Sequence, residues 1–395
     1  MEHGRIRPSR ATLQLIADRT GKDASFFLAE PERPLEELEL LVARRDFDEA
    51  ISAGLGLLEL PGLTSHARAS THQRLAESHI QLTQPEKALE HVVMAEELFT
   101  AAGDVWRVTE CMLLRSQALF LLQDPGAAAI AEQALIKGRQ LDPAPPLVEA
   151  RALTHLAAIA LEQRDWKRAI KHYRSALRAA EPLRNLRQAA LLNEGLGMAY
   201  HRLGMTRQAS ECFGRALTLY ETQRDISSVA RAEINLGEVL TEQGHLDEAE
   251  RHLRSSIRRC DEFEVGRRNF TDALVGLAAV QLRRGELADA TTTVTEAIEL
   301  SRERAETHQL AAGLQVLGRA RFETGDVPAT DRAYVEALDA WRAVGLVERR
   351  RRCHIEYARL LDEQGRLADA KEQWMAAALA AEEAITHLAQ EKATG

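Results

Sequence analysis

The hydrophobic residues of this chain recur at i, i+3, i+4 and i+7, the helical period, in two blocks per repeating unit. In each unit a small residue is followed seven positions later by a break, which is a glycine in the last five units, and twelve positions later by a second small residue. A fixed period of this kind predicts an array of antiparallel helix pairs. The first small residues lie 40 or 41 positions apart, at Ala76, Ser116, Ala157, Gly197, Gly237, Ala278, Gly318 and Ala358.

The spacing predicts eight helix pairs, each helix about 16 residues and about 24 Å long at the usual rise per residue. A partial pair from Leu35 to about Leu60 precedes them, which gives about nine pairs over residues 35–390. The small residues allow two helix backbones to approach closely. The second set comprises Ala88, Ala128, Ala169, Ala209, Ala249, Ala290, Thr330 and Ala370.

One unit, Leu196-Gly197, Tyr200, Gly204, Ala209, Phe213 and Ala216, resembles the tetratricopeptide repeat almost position for position. The resemblance covers most of the chain, although the period of 40 exceeds the common 34. It implies an all-α fold, a right-handed superhelical solenoid of antiparallel helix pairs. In such arrays the first helix of each unit lines a concave groove that binds extended ligands.

Residues 1–30 do not follow the repeat, and Pro31 to Pro34 are predicted to be a linker. The segment from Glu2 to Ser9, with Thr12-Leu13-Gln14-Leu15-Ile16-Ala17 and Phe26-Phe27-Leu28, resembles the second half of a Cro/Xre-type helix-turn-helix domain. The two helices that form the helix-turn-helix proper in that family would lie before Met1. We therefore expect DNA binding only if those upstream helices are restored. An unrelated N-terminal helical cap is the alternative for this segment.

Composition agrees with a helical protein, because aromatic residues make up only 5% of the chain and Ala and Leu dominate its apolar residues. A net charge of -9 argues against nucleic-acid binding over the whole surface. The four cysteines, Cys111, Cys212, Cys260 and Cys353, have neither disulfide nor zinc spacing, which predicts reduced, buried thiols. Together with the absence of a bilayer-length apolar run, this predicts a cytoplasmic protein that does not enter a membrane.

The sequence carries no phosphate loop, metal-ligand spacing or nucleophile motif, so we expect no enzymatic activity, no cofactor and no metal. The expected chemistry is recognition by variable polar residues on the first helices, where the predicted inward-facing positions lie one after, three before and six before the first small residue of each unit. Asparagine is a natural peptide clamp because its amide both donates and accepts hydrogen bonds. The candidate groove residues are Arg151, Asn193, Glu194, His201, Arg231, Asn235, Glu238, Gln315, Arg319 and Arg359.

The two resemblances together match bacterial helix-turn-helix regulators with tetratricopeptide repeats, in some of which the solenoid senses a short peptide. They imply a protein-binding or peptide-binding sensor domain of a transcriptional regulator, with its ligand in the concave groove. The alternative is an interaction scaffold or adaptor without a role in DNA binding. A homodimer is a further possible assembly in either case.

Overall fold

The computed structural model of this chain describes residues 32–263 and 267–394, with side chains described over 34–263 and 269–383. The regular structure within these residues comprises 18 α-helices and one short 3-10 helix, Glu181–Leu183. The predicted all-α repeat solenoid is confirmed. The segment that resembles a helix-turn-helix domain, residues 1–30, lies outside the described residues, and its assignment stays a prediction.

The helices form consecutive antiparallel pairs with the predicted period, and most are 17 residues long, close to the predicted 16. The partial first pair is α1 (Glu32–Arg44) and α2 (Phe47–Leu58). The remaining helices are α3 (Ser65–Gln81), α4 (Pro85–Ala101), α5 (Val105–Leu121), α6 (Gly126–Gln140), α7 (Pro146–Glu162), α8 (Trp166–Ala180), α9 (Leu186–Arg202), α10 (Thr206–Thr222), α11 (Ile226–Gln243), α12 (Leu246–Glu262), α13 (Arg267–Arg284), α14 (Leu287–Glu303), α15 (Thr307–Glu323), α16 (Val327–Val344), α17 (Val347–Glu363) and α18 (Leu367–Thr394).

Helix α1 begins at Glu32, so three of the four residues predicted to form a linker are helical. Pro34 lies in the first turn, where a helix tolerates proline because the N–H groups of that turn have no partner within the helix. Contacts between residues divide the chain into two compact units, residues 1–159 and 160–395. Each unit is described separately below.

The predicted breaks are left-handed turns in the structure. Glycine takes positive φ at five of them, as at Gly244 with φ of 83°, where it ends α11. At the other three breaks Thr83, Gln123 and Arg164 adopt the same conformation with φ of 56° to 58°. The position therefore requires a left-handed residue, and glycine is the residue that takes it without steric cost.

The small residues of the repeat pack against large side chains of the partner helix. A Cβ atom built on Gly197 would lie 2.8 Å from the Phe213 ring, and one built on Gly237 would lie 2.7 Å from Leu253. Such distances are shorter than normal carbon contacts, so these positions admit only a residue without a side chain. The packing role predicted for the small residues is confirmed at both positions.

In the first unit, three imidazoles meet between α3 and α4. Nδ1 of His72 lies 3.0 Å from Nδ1 of His91, and the His79 ring stacks on His91 with centroids 5.4 Å apart. Loss of hydration lowers the pKa of His91 to about 4, with further lowering by His72 and His79. Loss of hydration and then Arg68 lower the pKa of His72. The folded state therefore favours the neutral forms of His72 and His91.

We expect this cluster to make the first unit sensitive to acid. The unfolded state takes up protons below the usual histidine pKa of 6.5, whereas folded His91 does so only near pH 4, so stability falls as the pH falls through this interval. The expected loss is roughly 1–2 kcal/mol, after allowing for the partial exposure of His91. Urea unfolding followed by circular dichroism at pH 7.5 and pH 4.5 measures it. The variant His91→Gln should lose less stability over this interval than the wild type, and an unchanged loss would contradict the assignment.

The four cysteines are free and buried, as predicted. Burial raises the pKa of the Cys111 thiol to about 12, which keeps it protonated and unreactive near neutral pH. No helix in the described ranges is both long enough and apolar enough to cross a membrane.

Candidate functional site

The first helices of five consecutive pairs in the second unit, α9, α11, α13, α15 and α17, surround a cavity of about 940 Å³. The first small residue of each unit serves here as its small reference residue. Most lining residues lie six, three or two positions before this residue, or one, four or five positions after it. These spacings place them on one helix face, so equivalent faces line the cavity in successive units. The lining residues are Arg202, Ile234, Asn235, Glu238, Thr241, Glu242, Leu253, Asp272, Val275, Gly276, Ala279, Leu282, Arg283, His308, Ala312, Gln315, Val316, Arg319, Glu323, Trp341, Arg349 and Glu356.

The second helices contribute two buried apolar side chains to the cavity floor, Leu253 from α12 and Trp341 from α16. The Trp341 indole N–H donates to Oε1 of Gln315 at 3.4 Å, and the ring packs edge-on against His308 with centroids 5.1 Å apart. Val275 and Ala312 extend the apolar surface along α13 and α15. The cavity thus combines an apolar floor with charged sides, the composition typical of ligand pockets.

Each of the five carboxylates that line the cavity has a partner. Burial alone would raise the pKa of Glu242, but the hydrogen bond with His201 and the charge of Arg352 lower it. The partners are Arg349 for Glu238 at 3.8 Å, His201 for Glu242 at 3.0 Å, Gln309 for Asp272 at 3.1 Å, Arg319 for Glu323 at 2.6 Å, and Gln315 for Glu356. Each of these carboxylates therefore already forms an ion pair or accepts a hydrogen bond within the protein.

The pair between Glu238 and Arg349 connects α11 with α17 across the cavity. Its separation of 3.8 Å is longer than the 2.7 to 2.9 Å typical of a charge-assisted hydrogen bond, and both side chains are partly exposed. An exposed pair with this geometry contributes little to stability, about 0–1 kcal/mol. A ligand can therefore replace it at small cost.

A smaller cavity of about 510 Å³ adjoins the first along α17 and shares Arg319 and Glu356 with it. Arg352, Ile355, Arg359 and Glu363 complete its lining. The two cavities together offer a continuous polar and apolar surface to an elongated ligand.

Glu194 lies in a buried network next to the cavity. It accepts two hydrogen bonds from Arg231 at 2.6 and 2.9 Å and one from the Tyr220 hydroxyl at 2.7 Å. Asn235 donates to it at 3.4 Å. The hydrogen bond with Glu194 raises the pKa of Arg231, and burial followed by Glu194 raises the pKa of Tyr220. The network ties α9, α10 and α11 together, a structural role for Glu194 and Arg231.

The remaining predicted groove residues separate into two groups. Asn235, Glu238, Gln315 and Arg319 line the larger cavity, Arg359 lines the smaller one, and His201 contacts it through Glu242. Asn193 is buried, and its amide donates to the Ala189 carbonyl of its own helix at 2.8 Å. In the first unit, Arg151 pairs with Glu110 at 3.5 Å. Neither of these two residues lines a cavity described above.

Several lining residues do not appear among the sequence-predicted candidates, and many of them share one register. Arg202, Glu242, Arg283 and Glu323 each lie five positions after the small reference residue of their helix. These residues lie about one helical turn beyond the predicted inward position that follows the small residue by one. The repeat spacing alone could therefore have identified them as residues of the same face. Arg349 and Glu356 lie outside that register.

Among the described residues, His201, Glu238 and Glu242 bring three potential metal-ligand atoms within 4.8 Å of one another. Glu238 pairs with Arg349 and acts electrostatically on Arg202. Because guanidinium groups repel a cation, we interpret the three residues as part of the ion-pair arrangement of the cavity.

Comparisons with known proteins agree with the repeat architecture. Residues 146–312 match the family described as MalT-like TPR region, and residues 351–374 match the family described as Tetratricopeptide repeat. These matches show that both segments consist of TPR-type repeats. No curated protein matches the chain significantly in sequence.

Solved structures share the fold at low sequence identity. The apo form of RapI is 13% identical with a TM-score of 0.71, covering 90% of this chain and 98% of its own. The apo form of the quorum sensor NprR from B. thuringiensis is 13% identical with a TM-score of 0.63, covering 88% and 98%. The Rap conjugation gene regulator of plasmid pLS20, in complex with the Phr* peptide, is 15% identical with a TM-score of 0.51, covering 79% and 94%. At these low sequence identities the comparisons show a shared fold and nothing more.

Proposed function

We propose that this protein is a peptide-binding sensor and that the cavity of the second unit holds the peptide. The observation that carries the proposal is the repeated face of α11, α13 and α15, which combines an apolar floor with side chains that donate and accept hydrogen bonds. Such a face suits an extended chain, because successive units present equivalent positions to successive parts of the ligand.

The dimensions of the site favour a short peptide over a folded protein partner. Ligand pockets commonly measure about 300 to 1,000 Å³, and the larger cavity falls at the upper end of that range. The adjoining smaller cavity extends the site along α17. The pLS20 regulator, which has a similar fold, was solved in complex with the Phr* peptide. Its fold therefore accommodates a ligand of the proposed class.

A second and more specific proposal is that this peptide sensor is part of a transcriptional regulator. It rests on the resemblance of residues 1–30 to part of a helix-turn-helix domain. Peptide binding would control the attached domain by favouring one arrangement of the repeats over another.

The proposed function is tested by affinity selection of a random heptapeptide library with the full chain. We expect individual peptides to be enriched and to bind reversibly. Asn235→Ala should weaken binding of an enriched peptide about fivefold, because a lost hydrogen bond contributes about 1 kcal/mol. The matched control is Asn193→Ala, which removes an amide that bonds within its own helix.

Failure to enrich any peptide would refute the proposed function. Equal weakening by the two asparagine variants would also contradict it, because the loss would then reflect a general change in the fold. Enrichment of peptides whose binding neither variant changes would place the binding site elsewhere on the protein.

A further inference from the structure

Arg202, the last residue of α9, lines the larger cavity without a carboxylate partner. Within the described part of the chain its guanidinium forms no ion pair and no side-chain hydrogen bond. The other three arginines that line the cavity have partners: Arg319 pairs with Glu323, Arg349 pairs with Glu238, and Arg283 donates to the Thr241 carbonyl. Arg202 is thus a cavity-lining guanidinium that no carboxylate neutralises.

The charges around Arg202 are predominantly positive. Loss of hydration lowers its pKa, and Arg349, Arg352 and Arg164 lower it further, whereas Glu238 opposes them. Arg352 pairs with Glu348 at 3.1 Å, but that carboxylate also pairs with Arg351 at 2.7 Å. Glu238, the one carboxylate among these groups, is itself paired with Arg349, so Arg202 is left facing more arginines than carboxylates.

The other carboxylates that line the cavity pair with, or accept hydrogen bonds from, side chains other than Arg202. A guanidinium presents paired N–H donors that match the two oxygens of a carboxylate. The long Glu238 pair leaves Arg349 able to turn toward a better acceptor. The chemistry of this end of the cavity is that of a carboxylate-binding site.

We propose that Arg202, assisted by Arg349, binds a carboxylate group of the peptide ligand, either its C-terminal carboxylate or an aspartate or glutamate side chain. This inference rests on the proposed peptide-binding function. It adds the orientation of the ligand, because a fixed carboxylate at the α9 end determines where the rest of the peptide lies along α11, α13 and α15.

Three matched heptapeptide libraries test the inference with the full chain. The first lacks Asp and Glu and has a free C-terminal carboxylate, the second is identical but amidated, and the third is amidated and contains Asp and Glu. We expect the wild type to bind the first or the third library roughly tenfold to a hundredfold more tightly than the second, the range for a hydrogen bond to a charged group. Preference for the first library identifies the C-terminal carboxylate as the ligand group, and preference for the third identifies an acidic side chain.

Arg202→Gln should abolish this preference, so that the variant binds the three libraries with equal affinity. Arg349→Gln is a second variant that should reduce the preference in the same direction. The control is Arg319→Gln, which changes a lining arginine of the same cavity that already has a carboxylate partner. It should affect all three libraries alike. Circular dichroism of each variant establishes that the fold is retained.

Equal binding of the three libraries by the wild type, or a preference that survives in both Arg202→Gln and Arg349→Gln, would overturn the carboxylate site and leave the proposed peptide binding intact. Absence of binding to every library would overturn the proposed function and this inference with it.

Discussion

Replacement of Trp341 by alanine should lower the free energy of unfolding by about 3–5 kcal/mol. Trp341 is almost fully buried, packs against His308 and donates its indole N–H to Gln315. Alanine would leave a void beneath the larger cavity and an acceptor without its donor. Urea unfolding followed by circular dichroism measures the loss.

The matched control is Trp341→Phe, which retains an aromatic ring but not the N–H donor. It should cost markedly less than alanine, because most of the apolar contact is retained. If alanine and phenylalanine cost the same, the hydrogen bond to Gln315 rather than the buried ring would account for the stability. A loss below about 1 kcal/mol for alanine would show that the cavity floor collapses to fill the space.

Replacement of Glu194 by alanine should lower the free energy of unfolding by roughly 1–3 kcal/mol, the cost of leaving a buried polar group without its partner. The Tyr220 hydroxyl would lose its acceptor in a buried position, and Arg231 would lose its only carboxylate partner among the described residues. Urea unfolding measures this change as well.

Glu238→Ala is the control for this prediction, because Glu238 is an exposed carboxylate in a long ion pair near the same cavity. Its removal should change the free energy of unfolding by less than about 1 kcal/mol. The two variants thus distinguish a structural carboxylate from a cavity-lining one. A stable Glu194→Ala protein with weakened peptide binding would instead make Glu194 a ligand contact.

The repeated spacing of small residues and breaks predicts the fold in detail, because the packing of each helix pair requires those residues at those positions. Gly197 and Gly237 face large side chains that leave no room for a Cβ atom, and the break positions require left-handed backbone. Both requirements act within one helix pair, so they recur with the sequence period. For the same reason the bounds of α9 and α10 follow closely from the positions of their small residues.

The candidate site is predictable only in part. Glu238 and Gln315, which the repeat phase places on the inward face, line the cavity, and so does Asn235, which is predicted only to lie on a first helix. The repeat phase cannot separate these residues from Glu194, which lies at the position equivalent to Gln315. Glu194 is buried, accepts a hydrogen bond from Tyr220 and forms an ion pair with Arg231. These partners lie 26 and 37 positions away, on other helices.

The sequence by itself therefore determined the helix pairs, their period, their turns and the face that each first helix turns inward, because these depend on residues a few positions apart. Only the tertiary structure decided which polar side chains on that face remain available to a ligand. That choice depends on partners from neighbouring repeats. Glu194 pairs with Arg231 on the next first helix, whereas Arg202 forms no ion pair within the described part of the chain.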